Sequence, residues 1–100
     1  MSRAILAALA CTVLVLAAAA PARAYMCPVF IKQAEETIAR AERGKTTPES
    51  QGLLEDARKL VSEARARHEN ARSKADHDDA IRRAKTAIGL AEEALKLQPQ

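Results

Sequence analysis

"KADHDDA", residues Lys74–Ala80, decides how this chain folds. Helix-forming residues run up to it and away from it, and neither Gly nor Pro marks a stop. Asp76 suits an N-cap, and Asp78 and Asp79 are favoured at the positive N-terminal end of a helix. The stretch therefore predicts a helix start. Without that start, residues 48–97 form one long continuous helix.

An internal repeat favours the break. Aligning Ala34, Ala57 and Ala84 places an apolar residue three before each (Ile31, Leu54, Ile81) and a branched one four after (Ile38, Val61, Ile88). Alanine then recurs seven after, at Ala41, Ala64 and Ala91. These offsets mark one face of a helix, repeated three times. The unequal intervals between repeats fit hairpins better than a solenoid of fixed period.

Working outward, Pro28 suits the first position of helix one, with Cys27 as its N-cap, and Gly44 suits a left-handed residue that ends it. Thr47 and Pro48 supply an N-cap and first residue for helix two. The predicted helices span about 28–43, 48–73 and 77–97. The fold class is all-α: an up-down-up, antiparallel three-helix bundle.

One antiparallel register faces Ile38 with Leu53, Ala34 with Ala57, Ile31 with Leu60 and Phe30 with Val61. Between helices two and three, a second faces Leu60 with Ile88, Ala64 with Ala84, Ala57 with Ala91 and Leu53 with Leu95; a shift of about one turn also fits. Both place Leu60 and Ile88 near the centre.

The first register sets Cys27 level with Ala64 and carries Met26 toward His68. His68 and His77, the only histidines, flank the second turn on the inward stripe. Met26, Cys27, His68 and His77 thus converge on one end. An N-cap position would lower the Cys27 pKa and favour thiolate. Thiolate, thioether and two imidazoles suit Cu(I); with Asp76 or Asp78 in place of sulfur the site suits Zn²⁺ or Cu²⁺. The plainer reading makes the histidines packing or capping residues and Cys27 a small residue before a first-turn proline. No CxxC or HExxH motif is present.

Residues 1–24 read as a cleaved secretory signal: Arg3, an apolar run from Ala4 to Ala20, and small residues Ala22 and Ala24 before the cut. Tyr25 is the expected mature N-terminus, giving a domain over 25–100 in the periplasm or outside the cell. Removal of the signal takes Arg3 and Arg23 from the 16 basic residues, leaving 14 against 13 acidic ones and a net charge of +1. An almost neutral chain with interspersed charges lacks the concentrated basic surface of a nucleic-acid binder. No membrane contact is expected once the signal is cut. Cys27 is then the lone cysteine, so an internal disulfide is impossible.

Phosphate loops, Ser-His-Asp sets and nucleophile elbows are missing from the sequence, so no enzyme is expected. Glu55 with Lys59 and Glu63 with Arg67 stand at helix-pair spacing and read as a solvated face.

Two resemblances extend this reading. The stretches "QAEETIARAERGK", "LLEDARKLVSEARARHENA" and "DDAIRRAKTAIGLAEEAL" resemble the exported small metal-binding proteins of bacteria, alanine-rich helical chains studded with histidine. That resemblance covers about residues 30–97 and implies metal binding, here through His68 and His77 alone, because most expected histidine positions carry Arg, Lys or Gln. "ADHDDAIRRAKTAIGL" is similar to the second helix of a tetratricopeptide unit, with Ala80, Ala84 and Ala87 at its small-residue positions. That implies a helical hairpin in the C-terminal half.

Two functions follow as expectations. One is an envelope protein holding one copper or zinc ion at Met26, Cys27, His68 and His77. The other is a metal-free interaction module, binding a protein partner or forming a homo-oligomer through an alanine seam that three helices leave uncovered.

Overall fold

The structure is a computed structural model that describes residues 26–99. The expected signal, with its cut after Ala24 and new N-terminus at Tyr25, lies outside the described residues. Three helices form an all-α, up-down-up bundle: α1 over residues 26–43, α2 over Pro48–Glu69 and α3 over Lys74–Lys96. No described helix is long and apolar enough to cross a membrane.

Local chemistry explains each boundary. Thr47 and Ser50 form a reciprocal cap for α2: the Thr47 hydroxyl accepts from the Ser50 amide at 3.1 Å, and Ser50 Oγ accepts from the Thr47 amide at 2.7 Å. Pro48 occupies the first turn, as expected, because the amide it lacks has no partner there anyway. The helix stops at Asn70, whose amide and side-chain nitrogen both donate to the Ala66 carbonyl. The chain therefore breaks after Glu69, which rules out the single long helix.

The start of α3 differs from expectation. Ser73, not Asp76, is the N-cap, its hydroxyl accepting from the Asp76 amide at 3.3 Å. Asp76 Oδ2 reaches back to accept from the Arg72 amide at 3.0 Å. Two backbone donors are satisfied at once, so the helix begins three residues before position 77 and α2 ends before position 73.

The other end of α1 also departs from the sequence reading. Gly44 follows the helix without a positive φ, so it is not a left-handed cap. The absence of a side chain there makes room for Gln98, whose Oε1 a Cβ on Gly44 would meet. Gln98 Nε2 donates to the Ala41 carbonyl, which also accepts from the Gly44 amide at 3.3 Å, so both close the C-terminus of α1.

Each helix buries one stripe in alternating steps of three and four residues, the spacing of bundle seams. In α1 the stripe is Cys27, Ile31, Ala34, Ile38 and Ala41; in α2 it is Ser50, Leu54, Ala57, Val61 and Ala64. In α3 it is Ala80, Ala84, Ala87, Ala91 and Ala94, with Ile88 beside it. Read in opposite directions, the first two stripes match Ala41 with Leu54, Ile38 with Ala57, Ala34 with Val61 and Ile31 with Ala64. That is about one turn beyond the expected register. Leu53 and Leu60 consequently flank the core, half-buried, and Leu54 is the large side chain sealed within it at 1% exposure. Ala57, Ala64, Ala84 and Ala91, which the second expected register faces in pairs, are all fully buried.

The alanine seam is covered inside the bundle: every alanine of the three stripes is fully buried. Ion pairs fasten the edges. Glu35 and Glu42 of α1 pair with Arg65 and Arg58 of α2. Glu63 and Arg67, expected to pair with each other, instead reach α3, where they meet Arg83 and Asp79. Lys85 of α3 stands 4.8 Å over the Phe30 ring of α1, a cation–π contact.

Candidate metal centre

The three stripes run out at one end of the bundle on residues of a different kind. Continuing α1 backward by four from Ile31 gives Cys27; continuing α2 forward by four from Ala64 gives His68; continuing α3 backward by three from Ala80 gives His77. Heptad-like geometry that elsewhere brings alanines together here brings a thiol and two imidazoles together. One donor atom from each lies within 4.8 Å of the others.

Cys27 is the centre of the group. It is fully buried, and its Sγ lies 3.7 Å from His77 Nδ1 and donates to the His77 carbonyl at 3.3 Å. The two imidazoles meet edge to face, with ring centroids 5.6 Å apart and planes at 61°. Both histidines are half-buried. His68 Nδ1 is sealed from solvent without a hydrogen-bond partner. Such a group costs about 1–3 kcal/mol of desolvation unless something satisfies it.

Of the four residues anticipated, Cys27, His68 and His77 bring their donor atoms together. Met26 is 41% exposed. It lies one residue from Cys27 on the same helix, and adjacent helical residues point about 100° apart. Asp76 is occupied with the cap of α3, and Asp79 is the hub of a cluster with Arg67, Arg82 and Arg83. Those hydrogen bonds and charges hold both carboxyls below the ordinary aspartate value, through the Arg72 amide first for Asp76 and the Arg83 side chain first for Asp79.

The expected lowering of the Cys27 pKa is overturned. Cys27 is a helical residue of α1 rather than its N-cap, and it has no exposure to water. Burial pushes its thiol above the ordinary value, and the negative charge of Asp78 adds to the effect. Cys27 therefore rests as a neutral thiol, shielded from attack by solutes. An ion entering the cluster must displace its proton.

Bonds of about 2.0–2.3 Å to nitrogen and sulfur place neighbouring donors of one ion about 3.5 Å apart. The Cys27–His77 spacing already meets that requirement. The wider separations close by about an ångström, within the reach of a side-chain rotation on half-buried imidazoles. Sequence reasoning found all three residues; it missed the Ser73 cap that sets the helical position of His77, although the S-x-x-D spacing was its available signal.

Comparison of the chain with protein-family models, curated proteins and solved structures returns no match.

Proposed function

We propose that this is a small, exported, non-enzymatic helical protein that binds one soft or borderline transition-metal ion, copper or zinc, in the cell envelope. The convergence of Cys27, His68 and His77 from three different helices carries the reading. A thiolate with two imidazoles is a donor set for copper and zinc rather than for calcium or magnesium, which take oxygen. The unpartnered His68 Nδ1 supports it, because coordination would satisfy an atom that is otherwise buried at a cost. Export rests on the leader and small-residue cleavage site in residues 1–24.

Native mass spectrometry of the reduced protein, with and without Cu(I), Cu²⁺ and Zn²⁺, tests this function. One equivalent should bind. Joint replacement Cys27→Ala and His68→Ala should abolish binding while leaving the helical circular dichroism in place, since both residues lie at one end of the bundle, beyond the main hydrophobic cluster. Undiminished one-to-one binding by that variant would remove the site. The alanine seam through which a self-associating module would pack is taken up within the bundle.

A further inference from the structure

We propose that the ion held by Cys27, His68 and His77 is monovalent copper in a three-coordinate arrangement; the inference rests on the metal-binding reading above and deepens it. Three observations point this way.

The first is donor number. Structural zinc takes four protein ligands, and zinc with three keeps an exchangeable water. Here three donors cluster, one per helix, and the neighbouring carboxylates of α3 are committed elsewhere. Asp76 caps its own helix through the Arg72 amide, and Asp79 is shared among Arg67, Arg82 and Arg83. Asp78 is exposed and stands outside the group of close donors. A monovalent soft ion is content with three.

The second is charge. One thiolate and two neutral imidazoles balance the charge of a monovalent cation within the donor set itself, beside the buried layer of Ile31, Ala64 and Ala80. A divalent ion in the same donors leaves one positive charge that the donor set does not balance and that only Asp78, outside the group of close donors, stands near enough to offset. The third is softness. The most enclosed residue of the three is Cys27, at zero exposure, while both histidines are half-buried. The ion is thus anchored by its most polarisable ligand, which favours Cu(I) over harder divalent ions.

The test is competition of the reduced protein, without oxygen, against a chromophoric Cu(I) chelator and separately against a chromophoric Zn(II) chelator. Asp78→Asn is measured beside the parent. We expect one equivalent of Cu(I), bound at least about a hundredfold more tightly than Zn(II), with Asp78→Asn changing Cu(I) affinity less than about threefold. X-ray absorption of the copper-loaded protein should then show one sulfur and two nitrogen neighbours. Equal or tighter Zn(II) binding that Asp78→Asn weakens more than about tenfold would overturn the inference in favour of a four-coordinate zinc site, while leaving the metal centre itself standing. If neither ion binds, or if Cu(I) binding survives Cys27→Ser and His68→Gln in a folded protein, the metal reading falls together with the inference.

Discussion

At the scale of single residues, Cys27 is the one whose state can be checked first. Its burial and the charge of Asp78 raise the thiol pKa in the folded chain. A group whose folded pKa lies above its unfolded value contributes stability below the unfolded value, here near 9.0, and that contribution is lost as pH rises through the folded value. Metal-free protein should accordingly weaken in alkali. Asp78→Asn removes the smaller cause, so it should lower the thiol pKa without returning it to the ordinary range. Thiolate absorbance followed against pH measures this, and a titration unmoved by Asp78→Asn would show that the charge is not felt. The identity of the chemistry-bearing residues was legible because residues 25–100 hold one cysteine and two histidines. The protonation of Cys27 was not, since it depends on where α1 begins and on how completely water is excluded.

Among the elements, α3 owes its position to a cap. Ser73 accepts the Asp76 amide while Asp76 accepts the Arg72 amide, so removal of the hydroxyl frees a donor at the helix start. Ser73→Ala should cost about 0.5–2 kcal/mol in urea denaturation, centred near one. No measurable loss would return the cap to Asp76. The existence of three helices could be read from the repeat around Ala34, Ala57 and Ala84, which depends only on the helical period. The boundary was harder to see: three nearby aspartates all favour a helix start, and only the geometry of Ser73 decides among them. The same difficulty applies to Gly44, whose role comes from a side chain far along the chain, Gln98.

For the molecule as a whole, the register between α1 and α2 determines both the core and the site. Alanine pairs pack acceptably at either of two registers a turn apart, so the seam alone does not choose; the sealed position of Leu54 and the outward place of Leu60 do. Leu54→Ala should cost about 2–5 kcal/mol, and Leu60→Ala clearly less, because its half-exposed side chain leaves no closed cavity. Reversal of that order in chemical denaturation would restore the register that faces Ile31 with Leu60. The observed register is also what brings Cys27 of α1 against His68 of α2, with His77 closing the group from α3. The convergence of three helices on one ion is most directly tested by an NMR titration of isotopically labelled, reduced protein with Cu(I) under anaerobic conditions. The account predicts that amide and imidazole shifts cluster around Cys27, His68 and His77 together and saturate at one equivalent. Shifts confined to a single helix, or shifts that continue past one equivalent without involving Cys27, would contradict it.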